Sequence, residues 1–291
     1  MSSGTESAAA GKDIGAQLAR TELPARIAEL WSRRTQLSED DVEARETVFE
    51  AVGLLDRGEA RIAEIAPDGE VVVHEWLRHV LLLMFRVGKL EHTEAGPFHF
   101  ADRLPLKQSY PGVRVVPGAS ARFGSYLEPG AILMPSFVNV GARVGSGTLI
   151  DTWATVGSCA QVGRNVHVSG GVGIGGVLEP PSARPVIVED DALLGSRSIV
   201  VEGARVGRGA VLGAGAILGP TIPVIDAQTG EEISRGHVPD WSVAIAATRP
   251  RSFPGGEFGL ACVLVIKRLA EGERHDKAAI ETLVRDHGAS L

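Results

Sequence analysis

From position 126 onward an aliphatic or aromatic residue returns every six positions: Tyr126, Ile132, Val138, Val144, Ile150, Val156, Val162, Val168 and Ile174. Eight extra residues then intervene, and the frame resumes at Val188, Leu194, Val200, Val206, Leu212, Leu218 and Val224. Glycine follows the apolar residue at 145, 157, 163, 175, 195, 207, 213 and 219. A small residue often stands four places after it, as at Ala142, Thr148, Ala154, Ala160, Ala192, Ser198, Ala204, Ala210 and Ala216. A period of six matches neither the 3.6 of a helix nor the alternation of a simple strand. It is the pattern of a hexapeptide β-helix, in which three hexads make one triangular coil. The aliphatic residues are expected to stack inside the prism, with glycines easing the corners. Sixteen hexads predict about five coils, a prism about 25 Å long at ~4.8 Å per coil. A β-sandwich would show period two and turns every ~8 to 12 residues instead.

The flanks carry other periods. Helix-spaced apolar positions over 14 to 34 (Leu18, Ile27, Leu30, Trp31) and 40 to 57 (Val42, Val48, Val52, Leu55) predict two helices. Pro24 is expected to split or kink the first; Asp40 or Asp41 would open the second and Gly58 close it. ARIAEI and EVVVHEW around Asp68-Gly69 predict a hairpin leading into a short helix over 79 to 85. Past the prism, SVAIAA (242 to 247) and LACVLVIKR (260 to 268) read as strands and 277 to 287 as a terminal helix. The fold expected is mainly β: a disordered polar tail over 1–12, an α+β domain over 13–110, a parallel β-helix over 111–240, and C-terminal strands and a helix over 241–291.

Composition sharpens the boundary. Of 36 glycines, 21 fall between positions 112 and 219, and no lysine occurs between Lys107 and Lys267. A net charge of -7 argues against general binding to nucleic acid or an anionic membrane. Cys159 and Cys262 are too few for a disulfide framework and lack metal-ligand spacing, so both read as buried thiols. The N-terminus has no basic start followed by an apolar run, and VLLLMF at 80 to 85 is too short to span a bilayer, which suits a cytoplasmic protein.

A charged residue inside the frame must project from a face or corner. Asp151, next to inward Ile150 and near Trp153, has two readings: a general base whose pKa an apolar neighbour raises, or a corner residue bonding backbone amides, which composition alone favours. Arg114 at the prism mouth suits a carboxylate clamp or a surface ion pair. His167, the one histidine between 112 and 224, is either the base of an acyl transfer or a solvated face residue, the second being favoured. A single prism histidine leaves a zinc-ligating trio within one chain out of reach, and no metal is expected. Glu202, beside Gly203 and near Arg205, is a weaker carboxylate candidate, with a solvated side chain as the favoured reading. SGGVGIGGV at 169 to 177 lacks the Lys-Ser/Thr of a phosphate loop and keeps the six-residue frame, so it reads as coil corners. The insertion at 178 to 187 is expected to extrude a functional loop.

The string LIDTWATVGSCAQVGRNVHVSGGVGIGGVLEP (149 to 180) resembles the core of the 2,3,4,5-tetrahydropyridine-2,6-dicarboxylate N-succinyltransferases of lysine and diaminopimelate synthesis. RVVPGA, LMPSFVNVGA, VVEGARV and LACVLVIKR extend the resemblance over about residues 40 to 290. It implies a left-handed β-helix, a homotrimer with active sites between subunits, succinyl-CoA as co-substrate and a small dicarboxylic amino acid as acceptor. It implies that Arg114 binds the acceptor, and that Asp151 binds it and takes the amine proton. Pattern and resemblance together place Ser196, Arg197 and Lys267 near the nucleotide end of CoA. One position departs: Ile199 stands where the family carries a glutamate before the Val-Glu-Gly triplet. The rivals this defines are a paralogue acylating another amino acid, as in tabtoxin-like secondary metabolism, one using acetyl-CoA, and a catalytically weak metabolite-binding solenoid.

Overall fold

The computed structural model describes residues 22–179 and 183–291; the tail over 1–12 and the helix start over 14–21 lie outside them. The chain divides into two compact units, Met1–Gln108 with Arg122–Tyr126, and Ser109–Ala121 with Leu127–Leu291. No helix among the described residues is long and apolar enough to cross a membrane.

The first unit contains helices α1 (Leu23–Ser32), α2 (Val42–Asp56) and α3 (Glu75–Val87). Each buries an apolar stripe: Leu23, Ile27 and Leu30 on α1, Val48, Val52 and Leu55 on α2, and Leu77, Leu81 and Met84 on α3. Pro24 lies in the first turn of α1, where its missing N–H would have had no intrahelical partner. It starts this helix; the stretch of the expected helix before residue 22, which decides whether Pro24 splits it, lies outside the described residues. Asp41 caps α2 by accepting from the Ala44 N–H at 3.0 Å. Ala63–Ile65 pairs antiparallel with Val71–Val73 around Asp68-Gly69, and a second hairpin, unforeseen in the sequence, joins Glu91–Ala95 to Phe98–Asp102.

The second unit is a left-handed parallel β-helix with three faces. The first carries Arg114–Val115, Ile132–Leu133, Leu149–Ile150, His167–Val168, Leu193–Leu194 and Val211–Leu212. The second carries Ser120–Ala121, Phe137–Val138, Thr155–Val156, Gly173–Ile174, Ile199–Val200 and Ile217–Leu218. The third starts at Leu127 and continues through Arg143–Val144, Gln161–Val162, Ile187–Val188, Arg205–Val206 and His237–Val238. In each pair the second residue points inward; from Leu127 onward these residues are almost wholly buried.

Two details correct the expected frame. Leu127 and Leu133 face the core, and Tyr126 and Ile132 do not. The cause is one short corner: Leu133 pairs with Ile150, 17 residues on, whereas Val138 pairs with Val156, 18 on. The tight Met134-Pro135-Ser136 turn, closed by Ser136 Oγ donating to Met134 O at 2.7 Å, absorbs the missing residue. The prism begins where expected, near 111, but strands at Arg114–Val115 and Ser120–Ala121 precede the first residue of the frame at 126, so each face holds six prism strands and the coils number about six and not five.

Corner crowding explains the glycines. A Cβ on Gly157 would lie 2.1 Å from Gly176 N and 2.4 Å from Gly175 C, backbone atoms of the next coil that cannot swing aside. Along the third-face edge, Glu128 accepts from Arg143 Nη2 at 2.8 Å, Arg164 Nε at 3.0 Å and the Ser146 N–H at 3.0 Å. Burial pushes its carboxyl up, but the bonds from Arg164, Arg143 and Ser146 outweigh this and hold it below the usual carboxylate range. A lowered folded pKa means stability present above the unfolded value and lost as pH falls through the folded one. The urea midpoint is therefore expected to drop as pH falls below about 4.5, and Glu128→Gln to flatten that drop. An unchanged acid profile in the variant would contradict this role.

The C-terminal segment is one long hairpin, Ser242–Phe253 with Gly256–Arg268, which joins the first face through Val211↔Val243. Helix α4 (Lys277–Asp286) sets Ile280 and Val284 against the outward Leu193, Val211 and Val243. Arg274, 4% exposed, ties the preceding turn to the prism by donating to Asn165 O at 3.1 Å and Ala192 O at 2.8 Å.

Candidate active site

The inward Ile150 fixes the backbone on either side of it, so the next residue, Asp151, opens the corner between the first and second faces. The Asp151 N–H donates to Val168 O at 2.9 Å and its carbonyl accepts from the Ala154 N–H at 3.1 Å. Its two carboxylate oxygens have different surroundings. Oδ1 accepts from the Thr152 N–H at 2.6 Å and Thr152 Oγ1 at 3.2 Å. Oδ2 accepts no hydrogen bond among the described residues and faces His167 Nε2 at 4.0 Å. The corner reading and the base reading thus apply to different oxygens of one residue.

Trp153 does not shelter this carboxylate. Its side chain is 78% exposed, and its φ of 62° is a left-handed value that bulky residues rarely adopt. A conformation of that kind costs about 1–3 kcal/mol and collects at functional sites. The Trp153 N–H anchors the turn on Pro135 O at 2.7 Å.

His167 is not a freely solvated face residue. It stands outward on the first face, opposite Leu149 on one side and Leu193 on the other, and its side chain is 29% exposed. Burial lowers its pKa, the Lys277 and Arg274 cations lower it further, and Asp151 opposes them. The net effect favours neutral imidazole, which can accept a proton.

The other candidates sort by edge. Arg114 lies on the first face, two strands from Leu149 and about 10 Å away along the prism. It is exposed and pairs with no carboxylate among the described residues. Ser196 and Arg197 share Asp151's edge: Gly171 N donates to Thr152 O at 2.9 Å, Arg197 N to Gly170 O at 3.0 Å, and Gly215 N to Ser196 O at 3.0 Å. That edge alternates Asp151-Thr152-Trp153 and Ser196-Arg197 with the bare backbone of Gly170-Gly171 and the small Ala214-Gly215. An extended chain can lie close against it. Lys267 belongs to the C-terminal hairpin, and its ammonium is held by Glu273 at 2.6 Å. Glu202, exposed, stands on the edge between the second and third faces, so the prism does not bring it to Asp151. Ile199 points outward on the second face and is 41% exposed.

Among the described residues one cluster has metal-ligand geometry: Glu189, His237 and Asp240 place ligand atoms within 4.8 Å of one another. It lies by the third face, away from Asp151, and Arg205 Nε already donates to Glu189 Oε1 at 2.7 Å. That guanidinium supplies the positive charge a cation would bring. The Gly-rich 169–177 segment forms coil corners and a strand. Val177, Ala183 and Val186, at the ends of the inserted loop, are buried; residues 180–182 lie outside the described residues. Neither cysteine is in a disulfide, and both are buried.

Residues 22–87 match the model of the tetrahydrodipicolinate N-succinyltransferase N-terminal region, and residues 185–220 match that of the hexapeptide repeat of succinyl-transferase. Three curated proteins named 2,3,4,5-tetrahydropyridine-2,6-dicarboxylate N-succinyltransferase are similar over most of their length. That of Thioalkalivibrio sulfidiphilus is 45% identical, covering 89% of this chain and 97% of its own. That of Alkalilimnicola ehrlichii is 47% identical over 91% and 99%, and that of Brucella anthropi 48% over 84% and 90%.

Proposed function

The chain belongs to the tetrahydrodipicolinate N-succinyltransferase family, and from that premise we propose how its own residues divide the work. It is an acyltransferase of lysine and diaminopimelate synthesis that takes succinyl-CoA as co-substrate. The observation that carries this is identity of 44–48% with proteins of that name over 84–91% of the chain.

The acceptor is the ring-opened dicarboxylic amino acid, and its ammonium must lose a proton before nitrogen can attack. Asp151 Oδ2 takes that proton. The amine then forms a C–N bond at the thioester carbonyl as the C–S bond breaks; the nitrogen sheds its second proton as the amide forms, and the departing CoA thiolate takes up that proton to become the thiol. Arg114 clamps an acceptor carboxylate through paired N–H donors. Ser196 and Arg197 meet the nucleotide end of CoA, with Lys267 in reach of it if the Glu273 pair opens. Glu202, on another edge, joins such a site only from a neighbouring subunit.

The assembly is a cytoplasmic homotrimer with active sites between subunits. Trp153, Ile199 and Ile217, which are 78%, 41% and 46% exposed, mark an apolar strip along the second face and its edge, suited to contact between copies. The test is thiol release with L-2-aminopimelate as a stable acyclic acceptor. Turnover is expected with succinyl-CoA and to be at least about tenfold slower with acetyl-CoA, since only the succinyl chain brings a second carboxylate for a cation. Equal or faster turnover with acetyl-CoA would reassign the donor and favour the reading in which Ile199 marks a diverged acyltransferase.

A further inference from the structure

A base that takes one proton per turnover must discharge it before the next. Asp151 Oδ1 is committed to Thr152, so Oδ2 has to do both, and the side chain facing it is His167 at 4.0 Å. We propose that His167 is a positioning residue for Asp151: it holds Oδ2 toward the acceptor and carries the proton from Oδ2 to solvent. This rests on Asp151 being the base.

Strand register fixes the arrangement, because Leu149 pairs with His167 and Ile150 with Val168. Asp151 and His167 therefore project from neighbouring positions on adjacent coils. The separation exceeds a hydrogen bond, and closing it takes a side-chain movement of about 1 Å. The proton balance is simple. An N–H bond of the acceptor ammonium breaks as O–H forms at Oδ2; that O–H then breaks as N–H forms at Nε2, and the imidazolium releases one proton to water.

The charged groups around His167 suit this role. Lys277 on α4 and Arg274 in the turn before it oppose a lasting positive charge, while Asp151 favours one. Such an imidazole accepts a proton transiently and gives it up readily. The relay works only while His167 is neutral, so kcat should fall on the acid side as His167 protonates.

His167→Gln in the full-length protein tests this. The expected result is a kcat lowered about tenfold or more, a KM for succinyl-CoA within about twofold of wild type, and partial recovery of kcat on adding imidazole, which leaves wild type unaffected. An unchanged kcat, or a loss that imidazole does not lift at any pH, overturns the relay. Asp151→Asn separates the two ideas: if it is inactive while His167→Gln is not, the base stands and the relay fails. If Asp151→Asn turns over normally, the base reading fails first.

A second variant covers poor folding of His167→Gln. Lys277→Gln removes a cation that lowers the His167 pKa, so the acid limb of kcat is expected to move to higher pH. A limb that stays in place, or that moves equally when combined with His167→Asn, contradicts the proposal.

Discussion

Asp151→Asn is expected to lower kcat by about 10²- to 10⁴-fold, the range over which a positioned general base contributes. The substitution changes little else. An amide has nearly the shape of the carboxylate, and its oxygen can still accept from the Thr152 N–H that now lies 2.6 Å from Oδ1. The corner should therefore keep its turn, the coil its register and CoA its binding site. What is lost is an atom at the Oδ2 position able to take a proton. Steady-state kinetics with calorimetric CoA binding measures both sides: kcat falls and affinity for CoA holds. A variant with wild-type turnover would remove Asp151 from the chemistry, and one that loses CoA binding would make its role structural.

Asp56→Ala is expected to cost about 3–5 kcal/mol of stability, the range for breaking a buried ion pair by removing one partner. Asp56 ends α2, and its Oδ1 accepts from Lys107 Nζ at 2.7 Å and the Gly124 N–H at 2.8 Å. The two side chains are 19% and 5% exposed. Without the carboxylate, the Lys107 ammonium stays buried beside the Ser125 carbonyl and loses the Asp56 charge. Exposure decides the size of the effect. Arg57 and Glu59, one step away, make an equally short 2.7 Å contact but are 56% and 48% exposed, and Glu59→Gln is expected to cost under about 1 kcal/mol. Urea unfolding of both variants measures the difference; similar midpoints would contradict the burial argument.

The six-residue period makes the prism legible because every coil buries the same position of the hexad, and one buried aliphatic in six survives any variation on the outside. The frame slips at 133 to 138 because a five-residue corner leaves apolar residues in both candidate registers: Ile132 and Leu133 are each aliphatic, and only packing distinguishes them. The excursion Pro223–Asp226 with Glu232–Arg235 was readable in principle. Asp226-Ala-Gln-Thr-Gly230 is a turn sequence, and Gly230 has a φ of 73°. It was hidden by Val224, which is buried and happens to fall on the frame.

The site was partly legible for the same reason. One full coil is 18 residues, so Leu149 and His167 must stack, and His167 comes within reach of Asp151 by counting alone. Hexad counting likewise places Ser196 and Arg197 on Asp151's edge and Glu202 on the next. Burial of His167 could not be counted. Nor could the Arg274 and Lys277 charges that act on it, more than 100 residues later, which the C-terminal segment carries to the first face as α4 packs on Leu193, Val211 and Val243. The exposure of Trp153 was equally hidden, since an indole beside a carboxylate in sequence can shelter it or point away.

The most direct test of the central claim is the identity of the product formed from succinyl-CoA and L-2-aminopimelate, read by mass spectrometry alongside free thiol. One N-succinyl-2-aminopimelate for each thiol released is the predicted result. Thiol release without that adduct, or no release from folded protein that still binds CoA, would contradict it.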